Sequence, residues 1–195
     1  PGFNHYMVMR YQHELDFQIP EHREIIIAHD LSEDEKMLYA SLRAVLKRIV
    51  DCSREDKRHG ACILSTISYL RQFLVCPLVP CRRLMYCTTT GIMSRYYRRI
   101  VKHMRLKTIL RSPSCNSTRI DEIVKVLDIH RDERCIVFNC FRTNITEIIR
   151  YLETVNNERR KFTLNAKHSI SERMNIIDCF EKTTNGILFL TYQLG

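Results

Sequence analysis

The sequence is poor in the residues that break structure. It has five glycines and five prolines among 195 residues, which argues against a loop-rich or disordered chain and for long regular elements. No uninterrupted stretch of about 18 apolar residues occurs, so no membrane span is expected. No two of the nine cysteines stand at C-x-x-C spacing, and no H-x-x-x-H pair occurs. Cys76, Cys81 and Cys87, with His59 and His103 at a distance, are sparser than the tight ligand pairs of zinc modules. Free thiols in a reducing compartment are the simpler reading, and no metal site is assigned. Cys135, Cys140 and Cys179 fall within apolar patterns and are expected to be small core residues. The chain opens on Pro-Gly-Phe-Asn-His, with neither a start Met nor a signal-peptide pattern, and is read as a fragment or as starting further upstream. No G-x-x-x-x-G-K-[ST] run is present, and no Gly-rich turn follows a strand. An unrelated doubly wound α/β enzyme would need such a turn.

A further absence is local. From Pro80 to Arg119 there is no Asp or Glu, while ten Lys or Arg accumulate there and account for the net charge of +9. Tyr86, Tyr96 and Tyr97 are interleaved with them. Concentrated positive charge with aromatics suits a polyanion, most simply nucleic-acid phosphates, and equally suits a solvated helix face.

Hydrophobic spacing organises the remainder. Residues 24–29 form a short apolar run and read as a strand. Ser32 and Glu35 have capping-box spacing and open a helix with Leu38, Leu42, Val45, Leu46 and Ile49 on one face. Residues 51–60 are polar and read as a connector. A second helix covers about 61–75 and is stopped by Pro77 and Pro80. Residues 81–91 look irregular. Residues 92–111 read as a basic amphipathic helix, and 112–117 as a break. Then the pattern becomes regular: helix 118–130, buried strand 135–138, helix 143–155, strand 161–164, a Ser169/Glu172 capping box opening a helix, and strand 187–191. Strands alternating with amphipathic helices predict an α/β fold with a parallel sheet. Ligands of such sheets bind beyond the carboxyl ends of the strands. Attention therefore falls on residues 139–143, 165–168 and 191–195.

Several segments, in order, resemble the C-terminal half of SWI/SNF helicase-like ATPases. Met7-Val-Met-Arg10, Ile19-Pro20, Leu31-Ser32 and Tyr39 match the approach to its helical region. Leu70-Arg71-Gln72 with Cys76-Pro77 is similar to the family's "LRQ-x-c-x-HP". Ser117 to Ile120, Cys135 to Phe141, Ser171-Glu-Arg173 and Ile187 to Thr191 with Gly195 resemble successive motifs of the second lobe. The viral members called global transactivators are similar in size and cysteine content. Departures are Tyr11-Gln12 after Arg10, Cys76 where the family has His, and Asn165-Ala-Lys-His168 without the loop glycine.

The resemblance implies a RecA-like helicase C-terminal lobe, incomplete, over 117–195, preceded by an α-helical protrusion over 31–116 and the end of a first lobe or linker strand over 1–30. It implies a DNA-dependent ATPase whose ATP and Mg2+ belong to the intact protein, with none bound and no catalytic residue present in this stretch. The partners implied are the double-stranded DNA backbone and the first lobe of the same protein, with nucleosomes or transcription factors beyond them, no membrane, and a nuclear location (host nucleus or cytoplasm for a viral member). A non-catalytic nucleic-acid-binding module that keeps the lobe is the rival reading. DNA contacts are expected at Asn139, Phe141, Arg142, Lys167 and Thr191, and along the basic helix at Arg95, Arg98, Arg99, Lys102 and Arg105. Gly195 is expected at the nucleotide. Each has a plainer alternative: Thr143 or Asn144 as a helix cap, Phe141 as a packing residue, Lys167 and His168 in a solvated loop. Arg173 is expected in a structural ion pair, and Ser169 and Glu172 as caps.

Overall fold

The computed structural model describes residues 23–53, 60–86, 117–155 and 157–191. Helix α1 (Glu33–Ser53) begins at the capping box. Ser32 Oγ accepts from Glu35 N–H at 3.2 Å, and Glu35 Oε2 accepts from Ser32 N–H at 2.8 Å. Leu38 and Leu42 are its buried stripe, and Tyr39 meets Phe73 of α2 (Gly60–Phe73) with ring centroids 5.8 Å apart. Helix α3 (Leu78–Tyr86) occupies part of the stretch expected to be irregular. Pro80 sits in its first turn, where backbone N–H groups have no intrahelical partner in any case, so the missing donor costs nothing. The proline starts this helix rather than forbidding it.

Ser117 caps α4 (Thr118–Ile129): its Oγ accepts from Ile120 N–H at 3.4 Å and donates to Val75 O at 2.6 Å. Strand β1 (Cys135–Asn139), α5 (Arg142–Thr154), β2 (Lys161–Leu164), α6 (Ile170–Glu181) and β3 (Ile187–Thr191) follow. The three strands are parallel, in the order β1-β3-β2, with Asn139 opposite Thr191 and Leu164 opposite Leu190. Both connections within the sheet therefore cross over through a helix, as parallel strands require.

Alternation along β3 divides the core. Ile187 and Phe189 pack with Ile120 and Leu127 of α4 and with Ile145, Ile148 and Leu152 of α5. Cys76 and Val79 enter that same cluster. Leu188 faces the other way, against Phe162, Leu164 and Phe180 of β2 and α6. A Cβ at Gly186 would come within 3.0 Å of the Phe162 ring, so the strand enters this second cluster by close backbone approach.

Several expectations need correction. Residues 24–29 are irregular, not a strand, and Ile25, Ile26 and Ile27 are exposed. They pair with no strand among the described residues, although the sheet order leaves the outer edges of β1 and β2 open, and an unpaired segment has no ladder to hold it. Strand β1 is only half covered: α6 packs on β2 and β3, leaving Ile136 51% and Phe138 55% exposed. These two line an open apolar groove of about 520 Å³ with Ile27 and His29. Cys140 and Cys179 are exposed and Cys135 is half-buried, whereas Cys76 and Cys81 are the buried thiols. The apolar pattern located the elements, but Cys140 stands beyond the end of β1 and Cys179 on the open side of α6. Among the described residues, no helix is long and apolar enough to cross a membrane.

Candidate nucleic-acid interface

The carboxyl ends of the strands lie together because the sheet is parallel and in register. After β1 the chain turns at once into α5. Asn139 Oδ1 accepts from Phe141 N–H at 2.8 Å, so this side chain shapes the turn. Phe141 is the N-cap residue, in an extended conformation and without a side-chain cap bond. Asn144, expected as an alternative cap, is instead fully buried and donates from Nδ2 to Gln72 O at 3.4 Å. Its Oδ1, like Gln72 Oε1, is buried without a hydrogen-bond partner. Thr143 is exposed inside the helix and is not the cap either. The positive end of the α5 dipole is thus not closed by a capping side chain.

Arg142 is exposed in the first turn of α5. Beside it, Thr191 ends the central strand opposite Asn139 and is 7% exposed. On the other side of β3, the β2–α6 loop carries exposed Lys167. That loop is held from within. Asn165 Oδ1 accepts from Lys167 N–H at 3.0 Å, and His168 Nδ1 accepts from Asn165 N–H at 3.3 Å. Arg173 donates from Nε to His168 O at 3.0 Å and from Nη2 to Ala166 O at 3.3 Å. The ion pair expected for Arg173 is therefore replaced by carbonyl acceptors: its position one turn into α6 brings the fork under the loop backbone. Ser169 and Glu172 form the full capping box. The Ser169 backbone N–H, and then its hydroxyl, hold the Glu172 carboxyl below the ordinary carboxylate range.

Charge pairing separates two kinds of basic residue. Arg82 and Arg150 share the Glu147 carboxylate at 2.9 and 2.7 Å, Lys125 pairs with Glu122 at 2.6 Å, and Lys36 with Glu33 at 2.8 Å. Arg142 and Lys167 have no carboxylate partner among the described residues. Sequence reasoning missed Arg71, at the end of α2. Its guanidinium carbon lies 5.6 Å from the Phe141 ring centroid, and its Nη2 lies 3.6 Å from Cys140 Sγ. The signal was present in Leu70-Arg71-Gln72, but 69 residues separate Arg71 from Cys140, and no pattern in the sequence joins them. The structure brings together Asn139, Phe141, Arg142 and Thr191, with Lys167 at the same end of the sheet. Arg95, Arg98, Arg99, Lys102, Arg105 and Gly195 lie outside the described residues.

No protein-family model matches the sequence, and no curated protein matches it either. Solved structures do. The C-terminal part of the Fun30 ATPase domain superposes with a TM-score of 0.55 at 14% identity, over 83% of this chain and 65% of that one. The fold is that of the C-terminal part of the Fun30 ATPase domain. Two Sulfolobus solfataricus structures are also similar. The SWI2/SNF2 ATPase C-terminal domain gives 20% identity and a TM-score of 0.46, covering 82% of this chain and 58% of that one. The ATPase core in complex with dsDNA gives 23% and 0.47, covering 82% and 28%. This chain thus spans about 65% of the length of that Fun30 structure and shares its fold.

Proposed function

We propose that the chain grips the phosphate backbone of double-stranded DNA as part of an ATP-dependent DNA translocase. The observation that carries this is the placing of exposed Arg142 and Lys167, without a carboxylate partner among the described residues, beside the open N-terminus of α5 at the carboxyl rim of a parallel sheet. Fixed positive potential without base-reading geometry suits contacts that position a duplex and do not read its sequence. Phosphoryl transfer needs a phosphate cradle and a magnesium ligand, and the sequence supplies no P-loop. ATP and Mg2+ accordingly belong to the intact protein, whose first lobe would close against this one. On this reading the wider partners are nucleosomal DNA or transcription factors, and the location is the nucleus, or the host nucleus or cytoplasm for a viral member.

The test is fluorescence anisotropy of a random-sequence duplex titrated with the chain across a salt series. Binding should be insensitive to sequence and fall steeply with salt. Arg142→Ala and Lys167→Ala should each reduce the log–log salt slope by about 0.9, the value for one neutralised phosphate. No binding at low salt, or slopes unchanged in both variants, would refute the proposal.

A further inference from the structure

We propose that Arg71 is a phosphate-binding residue of this rim, so that one DNA backbone phosphate is held jointly by the helical region and the lobe. This rests on the nucleic-acid reading above and extends it to a residue outside the sheet domain. Arg71 is exposed and has no carboxylate partner among the described residues. Its guanidinium lies over the half-buried Phe141 ring at 5.6 Å, and Nη2 donates to Cys140 Sγ at 3.6 Å. Sulfur is a weak acceptor, and a guanidinium carries five N–H donors. Most of the donor capacity of Arg71 is therefore unspent, while the ring beneath restricts its orientation.

The next residue after Phe141 is Arg142, in the first turn of α5. The Arg71 guanidinium from α2 and the N-terminus of α5 thus meet at one ring, with Arg142 the next residue along the chain. A second feature sets Arg71 apart from a mere strut between the two regions. Arg82 also bridges helical region and lobe, but it ends on the Glu147 carboxylate at 2.9 Å, an acceptor that it shares with Arg150. Arg71 bridges to an aromatic face and a thiol, which leave its charge intact. A diester oxygen with its negative charge is the acceptor that this arrangement lacks.

The experiment uses the 195-residue chain. Duplex affinity and salt slope are measured for the native protein, Arg71→Ala, Arg71→Lys, Arg142→Ala and Arg150→Ala. In parallel, iodoacetamide alkylation of Cys140 is followed by peptide mass spectrometry with and without duplex, with exposed Cys179 as the internal reference. Arg71→Ala should weaken binding roughly tenfold, the scale of one charge-assisted contact, and lower the slope by about 0.9. Arg71→Lys should keep the slope and lose part of the affinity, because charge remains but stacking does not. Arg150→Ala should leave both unchanged. Duplex should slow alkylation of Cys140 several-fold relative to Cys179.

Normal affinity and slope in Arg71→Ala, with loss in Arg142→Ala, would overturn this proposal and leave the wider reading standing. Absence of duplex binding by the native chain would overturn both. Protection of Cys140 by inorganic pyrophosphate as strong as by duplex, at equal phosphate concentration, would also overturn it, since the ligand would then be a free polyphosphate. If Arg71→Ala fails to fold by circular dichroism, Arg71→Lys decides: unchanged affinity refutes.

Discussion

Arg159 is 8% exposed and stands at the amino ends of the strands, opposite the proposed interface. Its Nη1 donates to Leu127 O at 2.8 Å, its Nη2 to Glu133 O at 2.6 Å, and its Nε to Asn185 O at 2.7 Å. One guanidinium thus ties the end of α4 to the entries of β1 and β3. Replacement by Ala removes three short bonds with a charged donor, each worth about 1.5–3 kcal/mol when its acceptor stays dry. The acceptors differ in access: Glu133 is exposed and Asn185 half-buried, so water replaces part of the loss, while Leu127 O is sealed. The net expected cost is therefore about 3–5 kcal/mol, within the range for breaking a buried network. With a urea m-value near 2 kcal/mol/M, the unfolding midpoint should fall by about 2 M. Arg159→Lys should recover under half of this, since one ammonium cannot span three carbonyls. Arg160→Ala, which removes only an exposed guanidinium 5.0 Å from the Phe162 ring centroid, should cost about 0.5–1 kcal/mol. A loss for Arg159→Ala no larger than that for Arg160→Ala would refute the view that this side chain assembles the amino end of the sheet.

Two further outcomes follow from the same bonding. Glu35, 4% exposed, accepts from Ser32 N–H at 2.8 Å, Thr118 N–H at 3.1 Å and Thr118 Oγ1–H at 2.8 Å, and so caps α1 and reaches the start of α4 together. Glu35→Ala should cost about 2–4 kcal/mol and Thr118→Val about 1 kcal/mol in urea unfolding, and equal costs would contradict the double role. Tyr151 donates to Asp121 Oδ1 at 2.7 Å, and this bond, then burial and the Asp121 charge, push its pKa up to about 12. Because the folded state holds this proton more tightly, stability is full below the unfolded tyrosine range near 10 and is lost as pH rises towards 12. Spectrophotometric titration should show a late-titrating tyrosine that disappears in Tyr151→Phe and titrates earlier in Asp121→Asn.

Short-range signals survived folding where their physics is short-range. The capping boxes at Ser32 and Ser169 form as spaced, because both partners lie within one turn. Of the residues at helical spacing in α4 and α5, Ile120, Leu127, Ile145, Ile148 and Leu152 are buried, and Ile123, Val124 and Ile149 are half-buried. The parallel sheet was legible from alternation of strand and helix. What failed was set at longer range. Apolar residues 24–29 promised a strand, but a strand depends on an edge elsewhere in the molecule. Ile136 and Phe138 promised burial, yet cover depends on where α6 packs. Residues 81–91 promised no regular element, yet a new helix starts at Leu78 and takes Pro80 into its first turn, while the helix before Pro77 ends at Phe73 as expected.

The arginines show why the site was harder to read than the fold. In sequence, nothing marks Arg71, Arg82, Arg142, Arg150, Arg159 and Arg173 as different in role. In the structure their acceptors differ. Arg159 and Arg173 spend their donors on carbonyls, one at the amino ends of the strands and the other under a strand-end loop. Arg82 and Arg150 spend theirs on Glu147. Arg71 and Arg142 have no carboxylate partner among the described residues; Arg71 lies over the Phe141 ring, and Arg142 follows Phe141 in the chain. A polyanion gains most where protein acceptors have not already claimed the charge, so the useful criterion is the unspent donor rather than the basic residue. By that criterion the conspicuous run from Pro80 to Arg119 and the inconspicuous Arg71 are separate questions, and salt slopes measured residue by residue weigh one against the other.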